Sequence, residues 1–169
     1  LINLFYCFVI CFSVLFVDGF YQYIFKINIF GIEISETNRV SSLFGDELIL
    51  GSYISRLLPI FIGIGSYLII KKNNLQKKQI FFLFVTIYIL LEILVFISGE
   101  RSAFFYINLS LIIMIIMLRG FKFVGILILF LSTIFLTLIS TFDNTSKKRI
   151  IDLTITQMNL QKFQKAEAK

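Results

Sequence analysis

Five apolar runs, over roughly residues 1–17, 48–70, 80–98, 103–118 and 123–141, leave this chain few ways to fold. At ~1.5 Å per helical residue most of them can cross a ~30 Å hydrocarbon core, where a single segment satisfies all its backbone amides only as a helix. With 58% hydrophobic residues and a mean hydropathy of +0.92, the chain cannot hide its apolar surface inside a soluble globule of this size. The expected fold is all-α: a polytopic integral membrane helical bundle of about five transmembrane helices over residues 1–142. An external interfacial segment is expected over 18–47, and an external loop opening with an amphipathic helix over 143–169.

Orientation follows from the basic residues. Lys71, Lys72, Lys77 and Lys78 crowd one connection, and Arg119 and Lys122 lie in another two crossings away, so both are expected on the cytoplasmic side. Segments 18–47, 99–102 and 142 onward then face outward; Lys147, Lys148 and Arg149 fall in a long translocated stretch, where charge counts for less. Tyr21, Tyr23, Phe25, Ile29 and Phe30 can anchor segment 18–47 at the interface, with turns at Gly31 and Gly45. Beyond Asp143, the spacing of Ile150, Ile151, Leu153, Ile155, Met158, Leu160 and Phe163 predicts an amphipathic helix. The chain opens without a basic leader or cleavage site and stops in a helix-like stretch, so it reads as an internal fragment of a larger protein.

Composition also excludes chemistries. The chain has no histidine and no cysteine or carboxylate cluster, so no metal site and no cofactor is expected. Cys7 and Cys11 lie one turn apart in an apolar run, where a thiol is a small hydrophobe. The many phenylalanines reflect an AT-rich coding bias and carry no functional weight.

What remains is fixed positive charge near one membrane face. Arg101 sits in the polar island Gly99-Glu100-Arg101-Ser102, too short to carry it far into water. Arg39 precedes the second apolar run, and Arg56 lies about two turns inside it. An unpaired charge at that depth costs about 2.5 kcal/mol or more, so Arg56 needs a partner or a water-filled cavity. Glu92 lies at a similar depth in the third run, and a structural Arg56–Glu92 ion pair is expected. Ser52, Arg56, Pro59 and Gly63 follow helical spacing and make one face small or polar; Gly63 and Gly65 allow close helix contact. Asp46 and Glu47 complement the dipole of the second helix, and Asn108, seven residues after Arg101, points to a polar cavity on that side.

The order of Asp18-Gly19-Phe20-Tyr21-Gln22, then Asn38-Arg39-Val40-Ser41-Ser42-Leu43-Phe44-Gly45-Asp46-Glu47, then Tyr53 and Leu57-Leu58-Pro59, then Ser98-Gly99-Glu100-Arg101-Ser102-Ala103-Phe104-Phe105 resembles the O-antigen ligase and polymerase family of bacterial surface polysaccharide enzymes, over roughly residues 18–118. The resemblance implies a multi-pass protein of the bacterial inner membrane with its active face in the periplasm. It implies metal-independent transfer of a glycan from a polyprenyl-diphosphate carrier to an acceptor hydroxyl on a glycan or lipid A core. Arg39 and Arg101 become the catalytic arginines that hold the donor diphosphate, with Arg56, Glu100 and Asp46 as further substrate-binding candidates. Membrane lipid is a partner and nucleic acid is not. The family's catalytic histidine, in its large external loop, has no counterpart here, so the base is expected beyond Lys169, or in a divergent member at Glu100 or Asp46. The alternative reading is a transporter or flippase for a lipid-linked or anionic substrate. A third is a small structural subunit.

Overall fold

The computed structural model describes residues 1–35, 39–71, 74–118, 120 and 122–142. These form five helices: α1 (Ile2–Phe25), α2 (Leu50–Lys71), α3 (Asn74–Ser98), α4 (Arg101–Met117) and α5 (Lys122–Phe142). A 3₁₀ turn at Ser42–Phe44 separates α1 from α2, and the described β-structure is one isolated bridge between Ile27 and Glu33. Three stretches are long and apolar enough to cross a membrane: Ile2–Phe25, Leu50–Lys71 and Gln76–Ser98. The amphipathic helix and external loop expected over 143–169 lie outside the described residues.

α3 is the axis of the bundle. The share of its apolar stretch that is buried is 67%, against 50% for α2 and 28% for α1, so α1 keeps an apolar face outward, Cys7 and Cys11 included. Much of the core between α1, α2 and α3 is aromatic. The Phe61 ring stacks on Phe5 at 5.3 Å, meets Phe12 edge-on at 5.5 Å and lies 5.3 Å from Phe84. Each such pair is worth about 0.5–1.5 kcal/mol beyond the area it buries. Gly65 makes the α2–α3 approach possible, because a Cβ there would run into the Phe84 ring; Gly63 is not tight, its nearest neighbour being Met114 Cε at 3.4 Å.

Segment 18–47 departs from the expectation that it lies along the membrane surface. α1 continues through Asp18, Gly19 and Gln22 to Phe25, and Asp18 and Gln22 are 0% exposed. Spaced four apart, they share one helix face, and the chain returning from the turn after α1 packs on it. Gln22 Oε1 accepts from the Ser41 and Ser42 amides at 3.0 and 2.7 Å. Asp18 Oδ2 accepts from Ser42 Oγ at 2.7 Å, and Oδ1 from the Ile29 amide at 3.0 Å. Asn28 Nδ2 donates to Ser42 O at 3.0 Å. Ser42 thereby holds a left-handed backbone (φ 53°), a conformation that costs a non-glycine residue about 1–3 kcal/mol and persists only where its surroundings over-determine it. The tip of this excursion leaves Ile29 and Phe30 exposed, as interface anchors would be.

Candidate functional site

The end of the bundle where α2 and α4 begin and α3 stops is held together by two side chains. Glu100 Oε1 accepts the Gly51 amide at 2.8 Å, and Oε2 accepts the Ser52 amide at 2.9 Å and Ser52 Oγ at 2.5 Å. A carboxylate from the α3–α4 turn therefore caps the N-terminus of α2, satisfying amides that helix leaves open and meeting the positive end of its dipole. This role falls to Glu100 rather than to Asp46 and Glu47, because α2 starts at Leu50 and both acids lie exposed ahead of it. Glycine at 51 is what lets Glu100 come so near: a Cβ there would stand 2.9 Å from Ser98 Oγ and 3.0 Å from Glu100 Cβ.

Arg39 locks the same junction. Its Nε donates to Ser98 O at 2.9 Å, at the carbonyl end of α3, and Nη2 donates to Leu48 O at 3.4 Å while lying 3.8 Å from Glu100 Oε1. The Arg39 side chain is 25% exposed and that of Glu100 9%, so the pair is largely withdrawn from solvent. Gly99, at φ 70°, makes the turn that delivers Glu100, and α4 starts directly after it with Arg101, which is half-buried.

Beside this junction opens a cleft of about 540 Å³ between α2 and α4. Ser52, Ser55, Arg56 and Pro59 line it from α2, and Ser102, Ala103, Tyr106, Leu109, Ser110 and Ile113 from α4. The small and polar stripe of α2 thus faces a cavity and not lipid alone. Arg56 is exposed within it beside the Tyr106 phenol, a charged and a neutral donor for an anionic oxygen, whereas the hydroxyls of Ser52, Ser55 and Ser110 already donate to Glu100 Oε2, Ser52 O and Ile107 O. A separate, apolar cleft of about 730 Å³ lies further along the same two helices, walled by Gly63, Tyr67, Met114 and Met117 and reaching Lys71. The first cleft is cationic and lined with hydroxyl-bearing residues, and the second is almost wholly apolar.

Arg56 and Glu92 do not meet. Arg56 points into the α2–α4 cleft, whereas Glu92 is 1% exposed, with Asn108 of α4 and Ser132 of α5 as neighbouring polar side chains. Equal depth along two helices says nothing about which way each side chain faces, and here the faces differ. Asn108 likewise is not among the cleft-lining residues; its Nδ2 donates to Phe104 O, and the polar wall of α4 is instead Ser102, Tyr106 and Ser110. Neither Glu92 oxygen has a hydrogen-bond partner.

Of the residues singled out from the sequence, Arg39, Glu100, Arg101 and Arg56 therefore gather at one end of α2 and α4, while Asp46 is exposed and takes part in none of the hydrogen bonds or ion pairs found among the described residues. Ser55, Tyr106 and Ser110 carried no signal in the sequence reading, although Ser102, Tyr106 and Ser110 follow four-residue spacing. No group of three or more metal-ligating acids, cysteines or histidines occurs among the described residues. No family model matches the chain, and no curated protein or solved structure matches it either.

Proposed function

We propose that this chain is the membrane-embedded part of a glycosyltransferase of the O-antigen ligase and polymerase type, with five transmembrane helices in the bacterial inner membrane and its active face in the periplasm. The observation that carries this reading is a pair of clefts between α2 and α4: one that holds Arg56 and the Tyr106 phenol, and further along the same helices an apolar one, which together suit an anionic headgroup on a long hydrocarbon chain. In this reading Arg56 and Arg101 hold the donor diphosphate. Arg39 adds positive charge from the rim and fixes the turn that carries Arg101. Guanidinium groups suit the task because they stay charged at every pH and bind phosphate oxygens in pairs. As the glycosidic carbon passes from diphosphate to acceptor hydroxyl, they stabilise the charge growing on the leaving group.

Glu100 is a poor candidate for the base that activates the acceptor, since both its oxygens are already committed to α2 and Arg39. No carboxylate or imidazole lines the cleft among the described residues, so in this reading the base comes from elsewhere in the protein. A transporter or flippase is the second reading, favoured by one observation: a buried, unpaired carboxyl at Glu92, of the kind that marks ion-coupled membrane proteins.

The test is full-length protein in proteoliposomes with a polyprenyl-diphosphate glycan and candidate acceptors. Transfer with release of polyprenyl diphosphate, lowered about 100-fold or more in Arg56→Ala and Arg101→Ala at matched expression, is the expected result. Movement of the intact lipid across the bilayer without its consumption would replace this reading with the second.

A further inference from the structure

Where α2 ends and α3 and α5 begin, at the opposite end of the bundle from Glu100, another cavity opens, of about 500 Å³. Lys77 and Lys78 line it from the start of α3, with Phe81 one turn deeper on the same helix. Ile69 of α2 and Val124 of α5, both buried, form apolar parts of its wall, and Phe123 lies beside them with 77% of its surface exposed. Both lysines are exposed, and neither takes part in a hydrogen bond or ion pair with another described residue.

The charge at this end is unbalanced. In sequence, Lys71, Lys72, Lys77, Lys78, Arg119 and Lys122 fall in the α2–α3 and α4–α5 connections and the turns beside them, while residues 48–91 and 101–142 contain no aspartate or glutamate. Those stretches therefore offer the ammonium groups no counter-charge. A lysine ammonium is a point charge suited to a phosphate oxygen. Phe81 lies about 6 Å below Lys77 along the helix axis, four residues at ~1.5 Å each, so a ligand seated on the amines reaches an aromatic ring within a few methylene groups. Free phosphate would satisfy the lysines and leave the rings of Phe81 and Phe123 uncovered, whereas a phospholipid satisfies both. Basic connections mark the cytoplasmic side, whose leaflet is the anionic one.

We propose that this cavity binds an anionic glycerophospholipid of the bilayer, with its phosphate on Lys77 and Lys78 and an acyl chain along Phe81 and Phe123, joining α2, α3 and α5 at that membrane face. The site is separate from the α2–α4 clefts and independent of either reading of what they do.

The test titrates full-length protein in neutral detergent with dioctanoyl phosphatidylglycerol or dioctanoyl phosphatidylcholine and reads the bound fraction by native mass spectrometry. The wild type is expected to bind the anionic lipid at least about tenfold more tightly. Lys77→Gln and Lys78→Gln are each expected to weaken that binding about fivefold, and together about thirtyfold. Lys122→Gln removes the same charge from the same end but lies outside the cavity lining, and is expected to change binding less than about twofold. Phe123→Ala keeps every charge and is expected to weaken lipid binding about fivefold, so it remains informative if the double lysine variant does not fold. Excess inorganic phosphate is expected to leave the lipid bound. Equal binding of the two lipids by the wild type overturns the proposal, as does a loss in Lys122→Gln as large as in Lys77→Gln, which would make the attraction a diffuse basic surface. Displacement by inorganic phosphate overturns it too, because a free anion is then the occupant.

Discussion

Glu100 and Gly51 are 49 positions apart in the chain, yet the Gly51 amide donates to Glu100 Oε1 at 2.8 Å. The cap of one helix is thus carried by the turn between two others. Its second oxygen takes Ser52, and Arg39 Nη2 lies 3.8 Å from the first, so three stretches of sequence meet at one carboxylate.

Glu100→Gln keeps the shape of the side chain but loses the charge and one acceptor, leaving an α2 amide unpaired. Hydrogen bonds to a charged group contribute about 1.5–3 kcal/mol, and the variant is expected to lose that much stability. Calorimetric unfolding in detergent checks it; an unfolding temperature equal to wild type would mean the cap contributes nothing.

Two glycines of α2 are expected to behave oppositely. Gly51→Ala drives a methyl against Ser98 and Glu100 and is expected to cost about 1–3 kcal/mol. Gly63→Ala meets only the flexible end of Met114 and gains helix propensity, so it is expected to be neutral or stabilising by up to about 1 kcal/mol. If the two changes moved the unfolding temperature alike, close approach at Gly51 would not be the cause.

Arg39 and Arg56 should separate stability from binding. Arg39→Ala removes two hydrogen bonds and a mostly shielded ion pair and is expected to cost about 1–3 kcal/mol. Arg56→Ala is expected to change stability by less than about 0.5 kcal/mol while weakening binding of a short-chain polyprenyl diphosphate at least tenfold. Isothermal titration beside thermal unfolding reads both quantities on each variant.

A double-mutant cycle between Arg56→Gln and Glu92→Gln is expected to be additive within about 0.5 kcal/mol, since the two side chains face different partners. A coupling energy well above that would restore the direct pair.

Ser42→Ala leaves the buried Asp18 Oδ2 without its hydroxyl donor and keeps the left-handed backbone, so about 1–3 kcal/mol of destabilisation is expected. Hydrogen exchange at the Ser41 and Ser42 amides, which Gln22 holds, should quicken in the variant. Unchanged protection would show that Gln22 alone fixes the turn.

The helices were legible because apolar runs of this length have one outcome, and the observed ends of α2, α4 and α5 fall within about two residues of the runs. α1 was read too short for a specific reason. Asp18 and Gln22 look like a membrane exit, and only partners 19 to 24 positions away, at Ser41 and Ser42, turn them into core. Spacing along α2 revealed which face carries Ser52, Arg56 and Pro59, because period alone decides that. It could not reveal how α3 is rotated against α2, and the Arg56–Glu92 pairing rested on depth without rotation. The capping role of Glu100 was hidden by distance in sequence. The signal for it was indirect: α2 begins with Leu50-Gly51-Ser52 and lacks a local acid at the position where a cap belongs.

The cap contributed by Glu100 also sets an order of assembly. A ribosome feeding the membrane from the N-terminus releases α2 well before residue 100, so the first turn of α2 must wait at the aqueous boundary with its amides hydrated. The N-terminal end of this helix is therefore a late event in biogenesis, completed only when the α3–α4 hairpin arrives, and a nascent chain halted before Glu100 carries an open end that a chaperone or protease can recognise.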